Sequence, residues 1–177
     1  PKAGKIILAG DRMGIPWLEE DRVEEIGEHS IAVHELLPNQ SYFNTAGPYI
    51  KQSEKLLDYD ETKQLLLEQG STQNVFNLAE DFFNQNLEDL DLSGIDTYNI
   101  AGCANGSQGG YEVRTNGSIA FTKYRAGDQT VPLISGDAIS LSAENKFYST
   151  EGFHAELPSR PGIRDLIADI LDGNALA

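Results

Sequence analysis

The spacing of apolar residues changes near residue 90 of this 177-residue chain, and that change limits what the chain can fold into. Val75, Leu78, Ala79, Phe82 and Phe83 recur at the 3.6-residue period of an amphipathic helix. Ser71-Thr72 supplies a cap, and this helix is expected to run through Asn86. Asp60-Glu61 opens another, carrying Leu65, Leu66 and Leu67, with Gly70 as its stop. Residues 20–29 form a short charged helix, and residues 30–37 one that Pro38-Asn39 ends. Residues 18–90 are therefore expected to be mostly helical. Beyond them the period shortens. Residues 97–101 read as a strand ending in a loop rich in glycine, asparagine and serine, residues 102–110. Strands 111–114 and 118–124 flank Thr115-Asn-Gly117, where Asn-Gly signals a hairpin. Residues 146–150 are a further strand. Residues 161–171 are a helix with Pro161 in its first turn and Ile163, Leu166, Ile167, Ile170 and Leu171 on one face. Strands and helices alternating around a helical insertion define the α/β class, with 1–177 as one domain.

The run Lys5-Ile-Ile-Leu-Ala-Gly10 reads as a fully buried strand, the kind that needs neighbours on both sides. Standing first in the chain, it implies that further sequence precedes Pro1 and that the chain is part of a larger protein. The opening Pro-Lys-Ala-Gly has neither a basic n-region nor an apolar h-region, so no targeting signal is expected there. The longest apolar runs, residues 6–9 and 65–67, fall far short of the roughly 20 residues that span a bilayer. With 40% apolar and 23% charged residues, the composition is that of a folded domain rather than a disordered tail. The balance of 13 basic against 28 acidic side chains gives a net charge of −15. So acidic a surface repels phosphate backbones, and no nucleic-acid partner is expected. A single cysteine, Cys103, excludes an internal disulfide framework.

Three histidines can be weighed one by one. His29 and His34 stand five residues apart in a helical stretch, a spacing that does not bring two rings to one face as i, i+4 would. They are read as solvated or core-satisfied side chains, and no metal site is expected. The stretch from Asp89 to Asp96 matches the first half of a calcium loop. Its twelfth position would be Ile100, where a bidentate Glu is needed, so it reads as a polar helix-to-strand connection.

His154 differs in lying in a loop just after a strand, and loops leaving strand ends are where active groups collect in α/β sheets. Asp128 follows the strand that ends at Tyr124, with Gly127 allowing a sharp turn and Thr130 able to bond back to the carboxylate. An Asp in one such loop and a His in the next give the acid–base half of a hydrolase triad. The carboxylate fixes the imidazole tautomer while His moves the proton. Acid before histidine is the α/β-hydrolase order. The nucleophile is missing: no Gly-x-Ser-x-Gly occurs. The nearest stretch, from Gly102 to Gly110, has the wrong spacing and no helix after it. Cys103 lacks a basic neighbour in sequence, so Cys103 and Ser107 are read as loop residues, with the nucleophile upstream of Pro1.

Taken together, several segments resemble the lecithin:cholesterol acyltransferase-like lipases of the α/β-hydrolase superfamily. Residues 5–10 look like the strand after the nucleophile elbow and its helix. Glu35-Leu-Leu-Pro-Asn-Gln-Ser-Tyr-Phe43 is similar to a Leu-Leu-Pro stretch of the family's cap, and residues 98–102 to a strand ending in Gly. Ala126-Gly-Asp-Gln-Thr-Val-Pro132 resembles the family's Gly-Asp-Gly-Thr-Val-Pro, with Gln129 in place of the second Gly, and residues 153–157 resemble its histidine loop. The resemblance implies the C-terminal part of an α/β-hydrolase fold, mostly parallel strands plus a hairpin, with a helical cap at about 18–90. It further implies Asp128 and His154 as members of a Ser–Asp–His triad acting on acyl esters such as lipids, with no cofactor. The partner it implies is the N-terminal half of the same fold, and the location extracellular or membrane-associated. The competing reading from another class is a non-catalytic acidic domain that binds a protein or polysaccharide, with Asp128 and His154 as turn residues.

Overall fold

Helices follow one another through the first half of the computed structural model, which describes residues 2–12, 15–87 and 90–174. They are α1 (Lys2–Ala9), α2 (Glu20–His29), α3 (Ile31–Glu35), α4 (Gln40–Ala46), α5 (Tyr59–Glu68) and α6 (Gln73–Asn86). A small antiparallel pair, β1 (Ile50–Gln52) and β2 (Lys55–Leu56), interrupts them between α4 and α5. The second half contains β3 (Asn99–Gly102), β4 (Asn105–Val113), β5 (Ile119–Gly127), α7 (Leu133–Gly136), β6 (Lys146–Ser149) and α8 (Pro161–Asp172). Two sheets result, a four-stranded one in the order β2-β1-β4-β5 and a two-stranded one of β3 and β6. β1 runs parallel to β4, and β3 parallel to β6. The chain is thus α/β, with mixed rather than mostly parallel pairing in its larger sheet.

Local chemistry explains most boundaries. Asp58 caps α5 by accepting from the Glu61 amide at 2.9 Å, while Glu61 reaches back to the Asp58 amide at 3.3 Å, a reciprocal capping box. Gly70 follows α5 with φ at +116°, and Thr72 Oγ1 accepts from the Val75 amide to start α6. The expected hairpin turn lies between β4 and β5, with Gly117 at φ +80° donating to the Arg114 carbonyl at 2.9 Å.

The expected strand at residues 6–9 is instead part of helix α1. Ala3 and Ile7, four residues apart, and Leu8 are buried, the one-sided pattern of a packed helix. Gly27 of α2 would place a Cβ 2.9 Å from Ile6 Cγ2, so its bare Cα allows the two helices to approach. Gly10, left-handed at φ +53°, donates to the Ile6 carbonyl at 3.0 Å and closes the helix. A four-residue apolar run suits a buried strand or a buried helix equally, and the left-handed glycine decided it. Likewise the expected loop at 102–110 is mostly strand, because β4 begins at Asn105.

Two compact units emerge, residues 1–94 with 109–123, and residues 95–108 with 124–177. The first has its core in Leu37, Phe43, Tyr49, Ile50, Leu66, Phe76 and Tyr111, all buried. Phe43 meets both Tyr49 and Tyr59 edge to face at 5.5 Å, a favoured aromatic geometry. The second unit contains the β3–β6 pair, both ends of the β4–β5 hairpin, α7 and α8. None of the α8 residues is buried.

Candidate active site

β5 ends at Gly127, and the chain turns at once. Asp128 donates its amide to the Val131 carbonyl at 3.3 Å, and Gly127 bridges to Pro132. Between them Gln129 adopts φ +78°, the left-handed region that favours glycine. This is the position at which Gln129 departs from a glycine-bearing motif. The turn folds two backbone amides back onto the Asp128 carboxylate. Oδ1 accepts from Thr130 N at 3.0 Å and from Val131 N at 2.7 Å.

The other oxygen, Oδ2, meets His154 Nδ1 at 2.7 Å. The two loops are also joined along the backbone, His154 N donating to the Asp128 carbonyl at 3.0 Å. The Asp128 side chain is 8% exposed and the His154 side chain 51%. Burial pushes the Asp128 carboxyl up, but the His154 bond and the Val131 and Thr130 amides outweigh it, so it sits below its ordinary value. An ionised carboxylate bonded to Nδ1 leaves neutral His154 as the Nδ1–H tautomer, with the Nε2 lone pair free. Nε2 has no hydrogen bond to any described residue.

Glycines and one amide hold this arrangement. A Cβ on Gly102, at the end of β3, would stand 2.7 Å from Asp128 Cβ. On Gly127 it would stand 2.2 Å from the Val131 carbonyl and 2.3 Å from Ser107 Oγ. Neither position has room for a side chain. Asn105, the first residue of β4, bridges to Asp128 in the backbone and donates Nδ2 to the Gly152 carbonyl at 2.9 Å. It therefore ties the aspartate turn to the histidine loop. Sequence reading missed Asn105 and Gly102 as positioning residues. Both act on residues far along the chain, Asp128 and Gly152, so no local pattern marks them.

The remaining candidates take no part in the Asp128–His154 pair. Ser107 lies in β4 rather than in a loop, fully buried, with Oγ donating to the Val131 carbonyl at 2.9 Å. Cys103 follows β3 and aims Sγ at the Ser149 carbonyl, 3.4 Å away. His34 is buried in the first unit. Its Nδ1 meets the Ser30 carbonyl at 2.8 Å and its Nε2 meets Ser71 Oγ at 3.1 Å. His29 is exposed on the surface of α2, with Nδ1 against the Glu25 carbonyl at 2.9 Å. Among the described residues no three His, Cys, Asp or Glu side chains gather as metal ligands would. Asp89, the start of the calcium-like stretch, lies outside the described residues.

The site is thus an imidazole fixed at one nitrogen and open at the other, able to take a proton from a hydroxyl or water and return it. No protein-family model matches the chain, and no curated protein matches it.

Proposed function

We propose that this chain is the Asp- and His-bearing portion of a serine lipase or O-acyltransferase of the α/β-hydrolase type, acting on acyl esters. The observation that carries the reading is the 2.7 Å bond from His154 Nδ1 to a buried Asp128 carboxylate already held by two amides. The left-handed backbone at Gln129 supports it, because the motif that this segment resembles has glycine there. The helical stretch at 18–90 corresponds to the cap insertion of such enzymes. The nucleophilic serine belongs to sequence upstream of Pro1.

In this scheme His154 Nε2 takes the serine proton as the serine oxygen attacks the ester carbonyl. Asp128 stabilises the imidazolium through Nδ1–H and stays ionised. His154 then protonates the departing alcohol, leaving an acyl-serine. The second half runs in reverse, with water or an acceptor alcohol attacking while Nε2 takes its proton. No group in these steps needs a metal or organic cofactor.

The test is turnover of a fluorogenic acyl ester by the longer protein that includes this chain. His154→Ala and Asp128→Asn are each expected to lower kcat by about 10⁴-fold or more. A fluorophosphonate probe is expected to label one serine outside these residues in the wild-type protein and not in His154→Ala. Turnover unchanged in both variants would return the two residues to an ordinary turn and leave the acidic binding domain as the better account.

A further inference from the structure

The helical unit contains a half-open pocket of about 190 Å³ bordered by the α3–α4 corner, α5 and α6. Its walls are mainly apolar, with Leu37, Leu66 and Ala79 between the rings of Tyr49, Phe76 and Phe83. Nothing in the acid–base scheme uses it. We propose that this cavity is a binding site for a small neutral ring compound bearing one hydroxyl, the class of single-ring phenols.

Volume sets the first limit. An apolar cavity of about 150 Å³ accommodates benzene, so this one has room for a six-membered ring and a substituent of a heavy atom or two. The aromatic walls suit a ring, which can meet them edge to face or offset. His34 also lines the cavity, but both of its nitrogens are bonded, to Ser30 and Ser71, so it offers only carbon to a guest.

Polar chemistry sets the second limit. Lys63 and Glu80 both line the cavity, and Lys63 Nζ meets Glu80 Oε1 at 2.6 Å. Tyr59 OH donates to the same oxygen at 2.7 Å. At the pocket mouth, where the Glu80 side chain is 35% exposed, Oε2 has no bond to a described residue, and the Lys63 ammonium has protons to spare beyond the one given to Oε1. One unused acceptor beside unused donors fits a hydroxyl, which donates and accepts at once. The pair is already neutral as a whole. An anionic guest would face the Glu80 charge and a cationic guest the Lys63 charge, so a neutral guest is favoured. Burial pushes the Glu80 carboxyl up, but its bonds to Lys63 and Tyr59 prevail and keep it ionised and accepting.

The probe is phenol, with toluene and benzoate as controls, titrated into the protein by calorimetry and by NMR of the aromatic resonances. Phenol is expected to bind saturably and to shift the Phe76, Phe83 and Tyr59 signals. Toluene and benzoate are each expected to bind about tenfold more weakly, the worth of a hydrogen bond to a charged group. Glu80→Gln, which keeps the shape, is expected to weaken phenol severalfold and leave toluene unchanged. Ala79→Leu is expected to fill the cavity and abolish both. Since Ala79→Leu can disturb packing, the Glu80→Gln result decides the polar half of the proposal independently. No saturable phenol binding to the wild-type chain, equal affinity for toluene, or shifts confined to residues away from α5 and α6 would each overturn it. The outcome does not depend on whether His154 is catalytic.

Discussion

At the scale of single residues, the candidate site depends on what is absent from Gly102 as much as on what Asp128 and His154 carry. A buried carboxylate keeps its charge only where enough donors face it, and here three do, two amides and the imidazole. That cluster requires Asp128 to press against the end of β3, where only a hydrogen stands on the Cα. Gly102→Ala puts a methyl 2.7 Å from Asp128 Cβ, an atom that can move aside only if its backbone moves with it. Overpacking of this kind costs on the order of 1–3 kcal/mol. Urea denaturation is expected to show a loss in that range. A hydrogen-bonded His154 Nδ1 proton is expected in the wild-type NMR spectrum from the 2.7 Å contact, and it is expected to vanish in the variant as Asp128 is displaced. A variant as stable as wild type with that proton intact would show that the turn accommodates the methyl and that the close approach is dispensable.

Elements are held together by a buried group of a different kind. His34 stands on α3, bonds back to the Ser30 carbonyl before that helix, reaches Ser71 before α6, and sets its ring edge-on to Phe76 of α6 at 4.8 Å. Burial lowers its pKa below the ordinary imidazole value, more than the Ser30 bond raises it. The unfolded chain therefore takes up a proton near pH 6.5 while the folded chain does not until lower pH. Stability is full above that value and declines as pH falls toward the folded pKa, by at most about 1.4 kcal/mol per pH unit. Denaturant midpoints are expected to stay level from pH 8 to about 6.5 and to fall below it, and His34→Gln to flatten that fall. An unchanged slope in the variant would place the titration elsewhere. Helices α2, α3, α5, α6 and α8 were legible in sequence because their signals are local, the Thr72 cap, the Gly70 stop and the 3.6-residue period between them, whereas α1 read as a strand and α4 was not foreseen. Strand β1 and its parallel pairing with β4 were not legible, since three residues carry no period and their partners, Tyr111 to Val113, lie far along the chain. The turn at Asp128 and the loop at His154 were legible as chemistry. What joins them, Asn105 and the bare Cα of Gly102, acts through tertiary contact that no local pattern announces.

For the molecule as a whole the governing quantity is the net charge of −15, and its consequence can be separated from that of the ion pairs. Those pairs are at least partly solvated, among them Lys51–Glu54, Arg22–Glu25 and Arg160–Glu156, and such pairs are worth about 0–1 kcal/mol each. Added salt weakens them, but it also screens the repulsion among 28 acidic side chains that face only 13 basic ones. The repulsion is visible on α2, where Glu24 is raised above its ordinary pKa by burial and then by Glu28 and Asp21. A carboxyl raised on folding has its stabilising, protonated form below the ordinary carboxylate range, so at neutral pH its charge opposes the fold. Repulsion is therefore expected to prevail over the pairs. Tm at pH 7 should rise by a few degrees as ionic strength goes from about 0.01 M to about 0.15 M, where the screening length shortens from about 30 Å to about 8 Å. Glu24→Gln should raise Tm at the lower ionic strength and lose most of that advantage at the higher. Calorimetry of the two proteins at the two salt concentrations decides it, and a Tm that falls with salt would mean that the ion pairs, weak one by one, outweigh the excess of acid.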